Sequence, residues 1–126
     1  MQLLLIDDDS VTNFINREVI HLYTKSLYVQ DFTNPMEAID YLKKSQVSTF
    51  LIFLDINMPI MSGWDFVDAL KNLSLKHEID SIMLSSSNNE ADRLKAFSYS
   101  LVKNYCEKPL SKKDLEKCLK IYRTSN

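Results

Sequence analysis

Short apolar runs alternate along this chain with longer stretches whose apolar residues recur at helical spacing. The runs that indicate strands occupy residues 2–6, 26–32, 50–54, 81–85 and 102–107. Neither an internal repeat nor a low-complexity linker interrupts this order. Strands joined by crossover helices lie parallel and are buried on both faces, which explains continuous apolar runs. The sequence therefore predicts an α/β fold with a doubly wound parallel sheet of five strands and five helices.

Local signals place the first two helices. The first is expected to bury a face of four apolar residues: Phe14, Ile15, Val19 and Leu22. Asn34, Pro35 and Glu37 supply an N-cap, a proline at the first helical position and an acid in the first turn. The second helix then runs to about Lys44.

The remaining helices follow the last three strands. Residues 62–73 and 88–100 have helical spacing, although the second of these stretches has a thin apolar face. Ser111 and Asp114 resemble a capping box at the start of the fifth helix. The apolar face predicted for that helix consists of Leu115, Leu119 and Tyr122.

Length and composition limit the function classes. A chain of 126 residues fits one domain, here residues 1–126 with a core of about 2–123, and leaves no room for an output domain. A net charge of −2 gives no electrostatic reason to bind nucleic acid or an anionic membrane. Because no apolar run approaches the roughly 20 residues of a membrane span and the start lacks a signal peptide, we expect a cytoplasmic protein.

Glycine and cysteine content exclude further classes of site. The single glycine, Gly63, rules out Gly-rich phosphate loops, and we expect it to relieve the turn into the third helix. Cys106 and Cys118 match no metal or redox spacing and are interpreted as reduced packing residues.

Polar residues follow several of the predicted strands at their carboxyl ends, where ligands bind in such sheets. They are Asp7, Asp8, Asp55, Ser85 and Lys108. Three carboxylates in one place repel unless a cation joins them, and a set without histidine or cysteine suits a hard ion, above all Mg²⁺. A carboxylate beside Mg²⁺, a hydroxyl and an ammonium can attack a phosphoryl group.

Four segments in this order, "LLLIDDD", "LDINMP", "IMLSS" and "CEKP", resemble the receiver domain of bacterial response regulators over nearly the whole chain. The resemblance implies a flavodoxin-like (βα)5 domain that functions in two-component signalling. It implies that Asp55 accepts a phosphoryl group, and that Asp7, Asp8, Asp55 and the backbone carbonyl of Asn57 bind Mg²⁺.

The resemblance also implies how the phosphorylated state is read. Ser85 matches the switch hydroxyl, Lys108 the lysine that pairs with the phosphoryl group, and Tyr105 the aromatic switch. The bond between Lys108 and Pro109 is often cis in the family. The responding surface is formed by the fourth helix, fifth strand and fifth helix. Leu101 stands where the family commonly has glycine, which bears on how that surface moves.

The implied partners are proteins. The phosphoryl donor is a sensor histidine kinase or a histidine phosphotransfer protein, and the output is a protein target or a relay, without direct nucleic acid or membrane binding. The domain is not a turnover enzyme, although self-phosphorylation from small phosphodonors and self-dephosphorylation are expected. A monomer or a phosphorylation-dependent dimer fits this role.

Several alternatives stay open at this stage. "LLLIDDDSV" also fits haloacid-dehalogenase-like phosphatases, with Asp7 as nucleophile and Asp9 as general acid, but that class leaves Asp55 unexplained. A phosphorylation-independent receiver-like adaptor is a third possibility, against which the intact acidic site argues. Asp9 is otherwise interpreted as a helix N-cap, and Tyr105 equally fits a packing role. A one-residue error at the end of the fourth strand would give the role of Ser85 to the following serine, Ser86.

Overall fold

The computed structural model describes residues 1–73, 75–86 and 89–125, with the side chains of residues 121–125 outside the description. The strands are β1 (Gln2–Ile6), β2 (Tyr28–Phe32), β3 (Thr49–Asp55), β4 (Glu78–Ser85) and β5 (Val102–Glu107). The helices are α1 (Ser10–Tyr23), α2 (Pro35–Lys44), α3 (Gly63–Leu73), α4 (Glu90–Ala96) and α5 (Lys112–Ser125). Within the described ranges, no helix has the length and apolarity needed to cross a bilayer.

All five strands form one parallel sheet in the order β2-β1-β3-β4-β5. This confirms the predicted doubly wound α/β fold. The central strands β1 and β3 are buried along almost their whole length, as expected for strands covered on both faces. β1 lies between β2 and β3, so the chain leaves β1 toward one edge of the sheet through β2 and continues on the other side with β3. Ligands of doubly wound sheets bind at the carboxyl ends of the strands at such a point.

Two apolar cores lie on opposite faces of the sheet because successive strand residues point to opposite sides. One core joins Leu4 of β1 to Phe66 of α3, together with residues of α2. The other joins Leu5 of β1 to Ile20 of α1 and Leu119 of α5. The sheet is therefore fixed from both sides, which gives its carboxyl edge a rigid base.

Three elements differ from their predicted bounds by two residues or more, and β3 and α3 differ by one residue at one or both ends. β4 begins at Glu78 rather than at residue 81, because parallel pairing with β3 extends back to the Thr49–Glu78 pair. β2 begins at Tyr28 rather than at residue 26. α4 ends at Ala96 instead of residue 100, and its predicted start at residue 88 lies outside the described residues.

The predicted helix caps are present. Asn34 Oδ1 accepts a hydrogen bond from Met36 N at 2.9 Å, with Pro35 at the first helical position. Ser111 Oγ accepts from Asp114 N at 3.0 Å, as one half of a capping box requires. Two of the three residues predicted for the apolar face of α5, Leu115 and Leu119, are buried. The side chain of the third, Tyr122, lies outside the described part of the structure.

The predicted apolar face of α1 is wrong for three of its four members. Phe14, Ile15 and Leu22 are exposed by 62%, 43% and 85%, and only Val19 packs, partly buried, against a core. The inward face consists instead of Asn13, Asn16 and Ile20, spaced three and four residues apart. Each of the two buried asparagines makes at least one hydrogen bond to the backbone of another element, which offsets part of the cost of burying its amide.

Leu101 occupies the loop before β5 without disrupting the sheet. Its half-buried side chain packs against the first core, and its carbonyl accepts a hydrogen bond from Ser81 N at 2.7 Å. The β4–β5 register shifts after Ser81, leaving Lys103 as the extra residue. The leucine thus takes a packing role in the loop before β5.

Candidate functional site

The acidic residues after β1 and at the end of β3 meet a lysine from the loop after β5. Lys108 Nζ lies 2.7 Å from Asp7 Oδ2 and 2.8 Å from Asp55 Oδ1. One carboxylate oxygen each from Asp7, Asp8 and Asp55 lie within 4.8 Å of one another. Asp7 and Asp55 are buried and Asp8 is exposed, so the cluster has a buried floor and an acid that faces solvent.

Backbone amides hold the two buried carboxylates. Asp9 N donates to Asp7 Oδ1 at 2.9 Å, and Asn57 N donates to Asp55 Oδ1 at 3.3 Å. The Asp9 carboxylate caps α1, since its Oδ1 accepts from Val11 N at 2.9 Å. The three consecutive aspartates therefore divide between the acidic cluster and the start of a helix.

The loop that carries Lys108 is fixed at both ends. Lys108 N donates to Ser85 O of β4 at 2.7 Å, and Leu110 N donates to Asn16 Oδ1 of α1 at 3.1 Å. The peptide bond between Lys108 and Pro109 is cis, as the resemblance implied. The ammonium is thus anchored through backbone contacts with two separate elements.

Gly63 lies directly against the strand end that presents Asp55. Its N–H donates to Ile56 O at 2.8 Å, and a Cβ at this position would lie only 2.7 Å from Asp55 O. The glycine does not have a positive φ. Close approach of α3 to β3 therefore explains this glycine, rather than the conformational freedom expected from the sequence.

Burial and neighbouring charge control the ionisation of the pair. The pKa of Asp55 is raised from 3.8 to about 6 because burial, the largest influence, and the Asp7 charge raise it by more than the Lys108 hydrogen bond lowers it. Burial alone would lower the pKa of Lys108, but its hydrogen bonds with Asp55 and Asp7 leave that pKa above the ordinary value. The Lys108 ammonium is therefore stabilised in its charged form, whereas burial disfavours the carboxylate form of Asp55.

The chemistry of the donor set fits a hard divalent cation. The described acidic cluster offers carboxylate oxygens alone, and Asn57 also lines the cavity above it. His77 lies away from the cluster, since its ring contacts Leu42 O at 2.8 Å and the Phe50 ring. The residues present are thus suited to Mg²⁺ rather than Zn²⁺.

The structure places the two proposed switch residues below the site surface. Ser85 ends β4 with a buried side chain, whereas the next residue, Ser86, is exposed and lines the cavity. Tyr105 is buried in the first core, and the Arg93 guanidinium of α4 lies 5.2 Å from its ring centroid. Tyr105 therefore has a packing role in this conformation and also contacts α4.

An open cavity of about 530 Å³ covers the acidic cluster. Sequence reasoning did not assign three of the residues that line it, Thr12, Ile15 and Pro109, and gave Ser86 only as an alternative to Ser85. Thr12 and Ile15 are placed there by the orientation of α1, which the apolar pattern did not predict. Ser86 and Pro109 each follow a predicted site residue in the sequence. That adjacency is the one signal from which their place in the cavity could have been predicted.

Comparison with known proteins identifies the family. The sequence model of the response regulator receiver domain matches residues 3–120. Chemotaxis protein CheY1 of Helicobacter pylori is 27% identical over 128 residues, which cover 100% of this chain and 99% of that protein. The cyclic di-GMP phosphodiesterase response regulator RpfG of Xanthomonas campestris is 26% identical over 91% of this chain, which spans only 30% of that relative.

A solved structure supports the same assignment. The crystal structure of a two-component response regulator from Cytophaga hutchinsonii is 31% identical, has a TM-score of 0.83, and is matched over 95% of this chain and 94% of its own. The family match covers most of the chain and includes every strand-end residue of the site. This chain therefore belongs to the response regulator receiver domain family of two-component signalling.

Proposed function

We propose that this receiver accepts a phosphoryl group on Asp55 in a Mg²⁺-dependent reaction and changes a protein-binding surface in response. The observation that carries the proposal is the Lys108 ammonium, 2.8 Å from Asp55 Oδ1 and 2.7 Å from Asp7 Oδ2. An ammonium fixed beside a buried carboxylate can neutralise the charge that phosphoryl oxygens bring to it. Membership of the receiver family supports this interpretation of the geometry.

In the proposed reaction, an Asp55 carboxylate oxygen attacks the phosphorus of a phosphohistidine. An O–P bond forms, the N–P bond breaks, and the imidazole leaves with the electron pair and takes up a proton. The Asn57 amide and Lys108 both contact Asp55 Oδ1 and so hold the carboxylate in one orientation. Lys108 would then pair with a phosphoryl oxygen in the product.

The same residues would hold the metal ion. We assign Asp7, Asp8, Asp55 and the backbone carbonyl of Asn57 as ligands of Mg²⁺. When bound, Mg²⁺ supplies positive charge for the transferring oxygens. Asp8 contributes a solvent-facing carboxylate, and the buried Asp7 is oriented by the Asp9 amide.

The response is proposed to pass through Ser85 and Tyr105. Ser85 carries the side chain that would turn toward the phosphoryl group, and its carbonyl already accepts from Lys108 N. Tyr105 contacts Arg93, which belongs to α4. Among the described residues of α4, only the Ala96 side chain is buried. A helix with so little buried surface can shift between two positions at small cost, so α4, β5 and α5 form the proposed responding surface.

The proposed partners follow from this chemistry. The donor is a sensor histidine kinase or a histidine phosphotransfer protein, and the recipient of the signal is a protein that binds the responding surface. The receiver is proposed to act as a monomer or as a phosphorylation-dependent dimer. Its own chemistry is limited to self-phosphorylation from small phosphodonors and slow self-dephosphorylation.

The structure weighs against the phosphatase alternative. That mechanism needs Asp9 as a general acid, but the Asp9 carboxylate accepts a hydrogen bond from Val11 N and caps α1. It also needs Asp7 as a nucleophile, although Lys108 pairs with Asp7 and Asp55 together. A phosphorylation-independent adaptor would have no use for the buried acidic pair and its lysine.

Intact-mass measurement tests the proposal. The protein is incubated with Mg²⁺ and acetyl phosphate, and one phosphoryl adduct is expected on the wild type and on Asp68→Asn, which changes an exposed acid of α3. Asp55→Asn and samples with EDTA should show none. A wild type without an adduct, or an adduct that survives Asp55→Asn, would overturn the proposal. Continuous phosphate release that Asp7→Asn abolishes and Asp55→Asn retains would favour the phosphatase.

A further inference from the structure

The inward face of α1 carries two buried asparagines, three residues apart, at positions where an amphipathic helix normally has apolar side chains. Asn13 and Asn16 are exposed by only 2% and 1%. Burying an amide is costly unless it is hydrogen-bonded. The partners of the two side chains therefore indicate why polar residues occupy this face.

Asn16 bonds to the loop that carries Lys108. Its Oδ1 accepts from Leu110 N at 3.1 Å in a buried contact between residues 94 positions apart. A backbone N–H is a donor, so the oxygen of the amide must face it. Pro109 has no N–H, and Lys108 N is bonded to Ser85 O, so Asn16 binds the remaining N–H group of residues 108–110.

Asn13 bonds to the segment that carries the acidic residues. Its Nδ2 donates to Asp7 O at 3.0 Å and to Phe32 O at 3.2 Å. Both partners are carbonyls, which again fixes the orientation of the amide. Asn13 therefore ties the backbone of Asp7 to the end of β2.

The two asparagines contact different halves of the site from one rigid helix. The Asn16 contact lies two residues from the lysine, and the Asn13 contact is to the backbone of an aspartate itself. Neither side chain is among the residues that line the described cavity. Any effect they have on the reaction must pass through the backbone segments they hold.

We propose that Asn16 and Asn13 are positioning residues with separate tasks, Asn16 for the Lys108 ammonium and Asn13 for the Asp7–Asp8 metal-binding segment. This inference rests on the proposed phosphorylation of Asp55. Replacing Asn16 should therefore lower the phosphorylation rate, and replacing Asn13 should lower the affinity for Mg²⁺. A purely structural role would lower both quantities together in either variant.

Asn16→Leu removes the acceptor and keeps a side chain of similar length. Displacing the ammonium should lower the rate of phosphorylation by acetyl phosphate at saturating Mg²⁺ by about tenfold, a typical effect of losing a supporting contact. The affinity for Mg²⁺, measured by calorimetry, should be unchanged or tighter, because the competing ammonium is less firmly placed between the carboxylates. Hydrogen exchange of the Leu110 amide should become faster.

Asn13→Leu is the matched variant, one turn away on the same buried face. It should weaken Mg²⁺ binding by about tenfold, while exchange of the Leu110 amide stays as in the wild type. Ile20→Val, a buried change in the same helix that removes no hydrogen bond to either loop, controls for loss of stability. It should lower the melting temperature and leave Mg²⁺ affinity and phosphorylation rate unchanged.

The outcomes separate this inference from the function on which it rests. If the wild type forms no Asp55 adduct, the proposed function fails. If the wild type is phosphorylated and Asn16→Leu is phosphorylated at the same rate, or loses Mg²⁺ affinity as Asn13→Leu does, the positioning inference is wrong. Should Asn16→Leu fail to fold, Asn16→Ala removes the same acceptor with less steric demand and is measured in its place.

Discussion

Lys108 is the residue on which the charge balance of the site depends. Asp7 and Asp55 are both buried, and the lysine contacts one oxygen of each. With Asp8, the group has three carboxylates and one ammonium, so full ionisation leaves two negative charges in excess. A divalent cation would neutralise that excess, which is why metal-free and metal-bound protein should differ in stability.

The raised pKa of Asp55 predicts a pH-dependent cost of ionisation in metal-free protein. Folding raises this pKa from 3.8 to about 6, so the protonated acid favours the folded state. This contribution is fully present below pH 3.8 and is lost as the pH rises through about 6. Asp55→Asn, which stays neutral, should therefore be more stable than the wild type at pH 7.5 in EDTA.

The size of that difference is bounded by the pKa change. A rise from 3.8 to about 6 corresponds to at most about 3 kcal/mol, reduced by the lost contact with Lys108. Urea unfolding of both proteins between pH 4 and pH 8 measures it, with Asp68→Asn as the exposed control. If the difference in unfolding free energy between the two proteins is constant over this pH range, the pKa of Asp55 is not raised by folding.

Gly63 gives a second prediction at the scale of one residue. Gly→Ala at an ordinary helix position stabilises a protein by about 0.5–1 kcal/mol. At Gly63 the new Cβ would lie 2.7 Å from Asp55 O and 3.0 Å from Ile56 Cα, both backbone atoms that cannot turn away. Gly63→Ala should therefore destabilise the protein by about 1–3 kcal/mol in urea unfolding. An unchanged or higher stability would show that α3 can move away from β3.

The orientation of α1 can be tested at the scale of the helix. Phe14→Ser and Leu22→Ser change exposed side chains and should alter the free energy of unfolding by less than about 0.5 kcal/mol. Ile20→Ala removes a side chain that is 0% exposed and should cost about 2–5 kcal/mol. If Phe14→Ser is as costly as Ile20→Ala, the helix is rotated so that Phe14 faces the core.

The same helix shows where prediction from sequence stops. Strands and the convergence of Asp7, Asp55 and Lys108 were predictable, because apolar runs and the strand-end rule depend on local pattern and sheet geometry alone. The inward face of α1 was not, since the partners that make Asn13 and Asn16 acceptable lie up to 19 and 94 positions away. Apolar periodicity cannot report a polar face whose hydrogen bonds are made with distant backbone.

At the scale of the whole molecule, the strands that carry the site are more deeply buried than α4. β1 and β3 are fixed by apolar cores on both faces, which gives Asp7 and Asp55 little freedom. α4, by contrast, buries Ala96 among its described residues and leaves Leu94 exposed by 64%. A charge change at the rigid edge is therefore more easily relieved by movement of α4 than by movement of the strands.

Mg²⁺ should stabilise the whole fold, because a ligand that binds only the folded state shifts the unfolding equilibrium. At ten times the dissociation constant the gain is about 1.4 kcal/mol, or a melting temperature higher by about 5 °C. Asp8→Ala removes an exposed carboxylate that is proposed as a ligand, so it should leave metal-free stability nearly unchanged while abolishing most of this rise. Glu107→Ala, an exposed acid outside the described acidic cluster, should respond to Mg²⁺ like the wild type. Thermal melts across a Mg²⁺ titration measure all three proteins, and an equal rise in Asp8→Ala would place the metal elsewhere.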